Sequence, residues 1–327
     1  MNKYTKKIVL KKNSKIKLFT PGPASLLSEN IDTLEPCFGR GDKNYETIEN
    51  NVLNGILNLT GHKNIARLQG AASMALEIMI LNFVYGKILI IKTGVYSDRL
   101  NYMCNVAKKN YNYIKKIDYI DTKYYEEIKK NYDWVLACPV ETSIGYKMPI
   151  KNLYKLKKRC NAKLALDATA SIGLEEDHYL SDVAGFSSCK GLFGLTGGAF
   201  ITFNKKFQNQ ISEFNLDINN HLNKKMTGPY HAICSLTSVV NSYEKFSYAV
   251  KINKEKFLKK MEKYLLYERI NQPNLCTLID RKIRKKNSSV VLYKSRADIK
   301  GSVVCHLGEV HLKKKAKGEI LKNIELI

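Results

Sequence analysis

Two segments of this chain hold residues suited to chemistry on an amine. In "FSSCKGLFGLTGGAF", residues 186–200, Lys190 lies among small and apolar side chains, just past a strand and ahead of a glycine-rich stretch. Partial desolvation there favours the neutral, nucleophilic amine, the form that condenses with a carbonyl. The plainer alternative is a lysine whose head reaches solvent from an ordinary loop. In "LALDATASIG", residues 164–173, Asp167 closes a buried strand. A carboxylate in that place either caps a local turn or meets a cation in a cleft.

Three further segments offer supporting chemistry. "RLQGAASMALE" (67–77) opens a helix with a small-residue turn, so its first amides and the positive end of the helix dipole face outward and suit a phosphate. Close helix packing would equally explain the small residues. "PVETSIG" (139–145) follows a strand and carries Thr142 and Ser143, whose hydroxyls serve either a cleft or a turn. "TGVYSDR" (93–99) sets Tyr96 just after another strand, as a cover for a planar ligand or as a core aromatic.

The order is anion-binding turn, aromatic, hydroxyl loop, aspartate and lysine, each after a strand, and it resembles that of fold type I pyridoxal-phosphate enzymes. In detail the chain is similar to class V aminotransferases, the 2-aminoethylphosphonate–pyruvate and alanine–glyoxylate or serine–pyruvate group. The resemblance rests on "TPGP" (Thr20 to Pro23), "QGAAS" with Glu77, "ETSIG", "DATASIG", "SSCKGL" and "TGPYH" (227–231), and it covers roughly residues 18–245.

That resemblance implies a role for each matching position. Lys190 would carry pyridoxal 5′-phosphate and move the substrate's α-proton, and Asp167 would pair with the pyridine nitrogen. The amides of Ala71, Ala72 and Ser73 would hold the phosphate. Tyr96 would stack on the ring, Thr142 would lie near its hydroxyl, and Thr169 would support the other face. Thr227 would reach the phosphate of a neighbouring subunit, which implies a homodimer with shared active sites. Thr20 and Gly22 would lie on the substrate side. The substrates implied are a small amino acid or aminophosphonate and pyruvate or another 2-oxo acid.

The chain departs from the family pattern at three places. Ala72 stands where the phosphate turn usually has glycine, and Cys189 stands where Asn or Gln usually precedes the lysine. The arginine that clamps the substrate's anionic group falls on Val303 in "GSVVCHLGEV" (301–310). An aliphatic side chain cannot supply a bidentate clamp, so Arg296, Lys300 or Arg40 are the substitutes to look for. The departure keeps two alternatives open: a lyase or decarboxylase using the same cofactor, or a non-catalytic anion-binding homologue.

The elements that must position these residues follow from periodicity. A helix is expected over 44–60, ending at Gly61, then helices near 72–85, 97–108, 122–131 and 151–160. Between them fall apolar strands at 87–92, near 113–118, at 133–138 and 163–167, and near 183–188 and 199–204. Strands without in–out alternation, separated by helices, predict an α/β fold: a mostly parallel sheet covered on both faces, with ligands at the carboxyl ends of its strands. Past residue 229, helical sequence to 265 leads to short strands near 275–283, 289–294 and 301–307, then a charged tail. The expected division is a large cofactor-binding domain over 1–245, with an entry segment 1–30, and a small, shortened α+β domain over 246–327.

With 327 residues, 44% of them hydrophobic, the chain can bury a large core. The net charge of +24 comes overwhelmingly from lysine spread over the whole chain. A solvated surface explains it better than phosphate contacts, which favour arginine, so neither nucleic acid nor membrane is expected as a partner. Eight scattered cysteines form no CxxC pair and no metal-ligand spacing. With no apolar leader behind the basic start, free thiols in a reducing cytoplasm are the expectation.

Overall fold

The structure is a computed structural model, and it describes residues 3–23, 26–34, 39, 41–312 and 318–327. In chain order the elements begin with α1 (Lys3–Lys15), β1 (Lys17–Phe19), α2 (Glu29–Asp32), α3 (Lys43–Thr60), β2 (Asn64–Gln69) and α4 (Ala72–Phe83). There follow β3 (Gly86–Lys92), α5 (Val95–Asn110), β4 (Ile114–Asp121), β5 (Trp134–Ala137), β6 (Val140–Glu141), β7 (Tyr146–Lys147) and α6 (Ile150–Arg159). Then come β8 (Lys163–Asp167), β9 (Val183–Ser187), β10 (Gly198–Phe203), α7 (Ile218–Leu222), α8 (Tyr230–Val240) and α9 (Tyr243–Met261). The last elements are β11 (Cys276–Ile279), β12 (Ile283–Lys285), β13 (Val290–Leu292), β14 (Ser302–Cys305), α10 (Glu319–Asn323) and β15 (Ile324–Leu326).

Seven strands form the central sheet in the order β2-β10-β9-β8-β5-β3-β4. All run parallel except β10, which is antiparallel to both of its neighbours. The continuous apolar runs have a direct cause. Successive side chains of a strand point to opposite faces, and both faces here are covered. Leu89, Ile91, Val135, Ala137, Leu164 and Leu166 enter the core on one face, while Ile88, Ile90, Trp134, Leu136 and Ala165 enter the core on the other.

Local signals set the helix ends. The Asp42 carboxylate accepts hydrogen bonds from the Asn44 and Tyr45 amides at the start of α3, and Gly61, with φ of 69°, closes it in the left-handed region. In place of the helix expected over 122–131, Thr122–Glu127 forms a 3-10 turn with no buried residue. With no apolar face to bury, it has nothing to stabilise a longer helix.

Strand β2 lies outside the apolar pattern. It carries Asn64, Arg67 and Gln69, and Arg67 is buried because its Nε donates to Glu49 at 2.6 Å. The basic start and the charged tail are also structured. α1 and β1 occupy the first, α10 and β15 the second, and β1 pairs in parallel with β13. The entry segment therefore packs onto the C-terminal strands as well as the large sheet.

Candidate active site

The strand ends bring the chemistry-bearing residues together. Asp167, at the end of β8, is almost fully buried. Its Oδ1 accepts from the Thr169 hydroxyl at 2.5 Å and from the Thr169 amide at 3.1 Å. Its Oδ2 accepts from Arg99 Nη2 at 3.2 Å. A buried carboxylate is tolerated only when paired and hydrogen-bonded, and these donors meet that need.

Arg99 lies three residues after Tyr96 on the first turns of α5, so the two side chains share a helix face. Its guanidinium sits 4.9 Å from the centre of the Tyr96 ring. Lys190, in the turn after β9, places its Nζ 5.0 Å from the same ring centre. One tyrosine ring therefore carries the candidate amine and the cation that grips the candidate acid. The Gly22 backbone, with φ of +124°, packs onto Lys190: a Cβ there would come within 2.7 Å of Lys190 Cγ and 2.8 Å of the Cys189 carbonyl oxygen.

A second buried carboxylate, Glu141, braces the aromatic. It accepts from the Tyr96 amide at 2.9 Å, the Ser143 amide at 3.2 Å and the Ser143 hydroxyl at 2.5 Å. Burial raises its pKa, against the pull of these hydrogen bonds. Gly94, with φ of +148°, leaves the space it fills, since a Cβ there would lie 2.6 Å from Glu141 Cγ.

Buried polar atoms without a partner mark where a ligand would be satisfied. Among the described residues these include Thr142 Oγ1, Thr20 Oγ1, Arg99 Nε and Tyr293 OH, all on segments that border Lys190 and Tyr96. Ala71 precedes α4, and its carbonyl accepts from the Met74 amide at 3.0 Å. The amides ahead of Met74, those of Ala72 and Ser73, have no preceding turn of helix to donate to. Thr227 is exposed, beside a glycine packed so closely on Arg67 that a Cβ would lie 2.8 Å from the guanidinium carbon.

The candidate substrate residues are distributed differently. Val303, on β14, is buried in the core beside Leu278 and Cys276. Arg296 and Lys300 are both exposed, and no ion pair of either is found among the described residues. Arg40 lies outside the described residues.

A family model described as "Aminotransferase class-V" matches residues 40–300. The chain belongs to the class V aminotransferases. Among its relatives is a bifunctional phosphonoacetaldehyde hydrolase/aminoethylphosphonate transaminase of Clostridioides difficile, 27% identical over 205 residues, covering 58% of this chain and 32% of that protein. A 2-aminoethylphosphonate–pyruvate transaminase of Pseudomonas aeruginosa is 24% identical over 252 residues, covering 69% of this chain and 68% of that one. The chain thus spans about a third of the first relative and two thirds of the second.

Among solved structures, a phosphoserine aminotransferase from Cytophaga hutchinsonii superposes with a TM-score of 0.77 at 14% identity, covering 94% of this chain and 98% of that one. An alanine–glyoxylate aminotransferase from Nostoc sp. gives 0.74 at 15% identity, covering 94% and 95%. These likenesses establish the fold of type I pyridoxal-phosphate enzymes.

Class V aminotransferases depend on pyridoxal 5′-phosphate, and the donor set here fits it. An amine, a buried acid with its arginine and an aromatic ring meet at one place, while the start of α4 and the orphaned Thr142 hydroxyl offer the further donors the cofactor needs. Two members of the site were not anticipated from sequence, Arg99 and Glu141. The signal for Arg99 was its helical spacing from Tyr96. Glu141 had none, because a carboxylate between a strand and a turn reads as an ordinary surface acid.

Burial pushes up the thiols of Cys104, Cys138, Cys160, Cys276 and Cys305. Among the described residues no helix is long and apolar enough to cross a membrane.

Proposed function

We propose that this protein is a pyridoxal-phosphate-dependent aminotransferase that moves an amino group from a small amino acid or aminophosphonate to pyruvate or another 2-oxo acid. The observation that carries this reading is the meeting of the Lys190 amine and the Asp167–Arg99 pair at the single ring of Tyr96.

Bound pyridoxal phosphate supplies an electron sink for the carbon that loses its proton. The chain's residues do the rest. Lys190 would hold the cofactor and would carry the proton at the substrate's α-carbon. Asp167, which accepts from Thr169 and Arg99, would pair with the ring nitrogen of bound cofactor. Tyr96 covers the ring, and Glu141 fixes the turn that presents it. The amides of Ala71, Ala72 and Ser73 bind the phosphate with the dipole of α4 behind them. Thr142 gives the ring hydroxyl a partner, and Thr20 and Gly22 close the substrate side.

On this reading Thr227, exposed on its turn, would reach the phosphate of a second copy, and the working unit would be a homodimer. The compartment that suits its free thiols is the cytoplasm. The donor we favour is 2-aminoethylphosphonate or a compound like it, in line with the relatives that act on it.

An absorbance spectrum of protein loaded with cofactor tests this directly. A band at about 410–430 nm is expected for the lysine-bound cofactor. It should be absent in Lys190→Ala and should convert to the pyridoxamine form when donor is added. A wild-type protein that retains the band through every donor, or that releases ammonia or carbon dioxide without a 2-oxo acid, would overturn the reading.

A further inference from the structure

The wall that the small domain turns toward Lys190 is built by β11 and β14. The His306 amide donates to the Leu275 carbonyl at 2.8 Å, which makes residues 275 and 306 a hydrogen-bonded pair. The next pair in the register, Cys276 with Cys305, is then of the closer, non-hydrogen-bonded kind, and so is Leu278 with Val303. These four side chains share one face, and all are buried in the core that also holds Leu166, Ala168 and Phe193. Burial is the first cause of the raised pKa of both thiols, which keeps them protonated, and both sense the Lys190 cation. The wall is neutral.

Tyr293 stands at its edge. Its ring packs against the same core, while its hydroxyl is buried and makes no hydrogen bond. Ser295, two residues on, donates to the Ser143 carbonyl at 2.5 Å and pins this loop to the one that carries Thr142. The close packing of Gly145 on β11, where a Cβ would lie 2.8 Å from the Leu278 nitrogen, fixes the two loops a second time. Burial is the first cause that holds the phenol protonated; Tyr96, Cys305 and Cys276 act in the same direction, and the Arg296 cation opposes them. Tyr293 is thus a neutral donor, held between the ring that covers the cofactor site and a wall without charge. An unmade buried hydrogen bond costs about 1–3 kcal/mol, a cost that a ligand oxygen would remove.

We propose that Tyr293 is a specificity-determining residue, whose phenolic O–H donates to an oxygen on the non-reacting end of the amino donor. The apolar wall of Cys276, Leu278, Val303 and Cys305 borders the hydroxyl, and the exposed Arg296 is the cation that acts on it. The proposal rests on the aminotransferase reading, and it gives the oxygen-bearing far end of the donor one neutral hydrogen-bond donor, with Arg296 the cation acting on the same hydroxyl.

The test is Tyr293→Phe, measured with 2-aminoethylphosphonate and L-alanine as donors, pyruvate as acceptor and cofactor-loaded protein. The expected result is a donor KM raised about tenfold, with kcat within about threefold, because one hydrogen bond of uniform binding is lost. Thermal stability should stay level or rise, since the deleted hydroxyl has no partner in the protein. A fall in Tm with KM unchanged assigns Tyr293 to structure alone and overturns the proposal.

Calorimetric titration with 2-aminoethylphosphonate, on protein whose cofactor has been reduced onto Lys190 so that no turnover occurs, separates the two readings. About tenfold weaker binding by the variant upholds the role of Tyr293 even if no donor is turned over. Equal binding by both proteins, or none by the wild type, overturns it and leaves the aminotransferase reading to its own spectral test.

Discussion

The carboxyl ends of β8, β5 and β3 and the β11–β14 wall face the same space with opposite electrostatics. On the sheet side the two buried carboxylates are answered, although Arg99 Nε and Thr142 Oγ1 have no partner among the described residues. Asp167 has Thr169 and Arg99, and Glu141 has Ser143 and the Tyr96 amide. On the small-domain side the pattern reverses. The wall carries thiols and aliphatics, while Tyr293 OH, His306 Nδ1 and both oxygens of Glu309 are buried without a hydrogen-bond partner.

The difference teaches which buried groups the protein satisfies by itself: the carboxylates of the sheet side. A charge that must stay ionised for chemistry is built in with its partners, because an unpartnered buried charge costs several kcal/mol. Neutral hydroxyls and ring nitrogens cost less when unsatisfied, so they can wait for a ligand.

The contrast can be broken most sharply at Val303. If the wall excludes charge, Val303→Arg buries a cation with no anion near it and should lower the unfolding free energy by about 3–5 kcal/mol. The shift of a urea midpoint measures this, and an unchanged midpoint would mean that the wall already tolerates charge.

A smaller effect is expected on the sheet side from Gly22→Ala. Positive φ alone costs a non-glycine residue about 1–3 kcal/mol, and the added methyl must displace Lys190 Cγ or the Cys189 carbonyl. Both the 410–430 nm band and the melting temperature report on it. Retention of both at wild-type values would show that the lysine is not held by this contact.

The smallest effect concerns Glu309. Burial pushes its pKa from 4.5 up to about 7, and the amides of Gly318, Glu319 and Ile320 only partly oppose that, since they lie outside good hydrogen-bond geometry. For an acid whose pKa is raised on folding, the stabilising contribution is complete below pH 4.5 and is lost as pH rises toward about 7. Glu309→Gln, a neutral mimic, should therefore match the wild type near pH 5 and exceed it near pH 8 by about 2 kcal/mol. Chemical denaturation at the two pH values decides it. A variant less stable than the wild type at pH 8 would mean that the carboxylate has a cationic partner and that the small domain resembles the sheet side after all.

Much of the large sheet was legible because its signals are local. The runs around Ile88–Ile91 and Leu164–Leu166 are apolar on successive residues, which only a strand covered on both faces explains. Gly61 and Asp42 announce the ends of α3 by backbone and capping chemistry. What escaped depended on partners far along the chain. β2 reads as polar until Glu49 arrives to bury Arg67. The 3-10 turn at Thr122–Glu127 has helical composition but no fully buried face; Tyr125 alone of its residues packs on the core.

The sequence by itself determined the family and the order of the strand-end motifs, and it singled out one lysine and one aspartate as candidates, since each follows from residue type and short-range spacing. Tertiary structure decided what surrounds them. Arg99 meets Asp167 across 68 residues, Glu141 meets Tyr96 across 45, and Cys276 meets Cys305 through strand register. Such pairings depend on which strands become neighbours, and burial of both faces of the sheet fixes that only when the whole chain has folded.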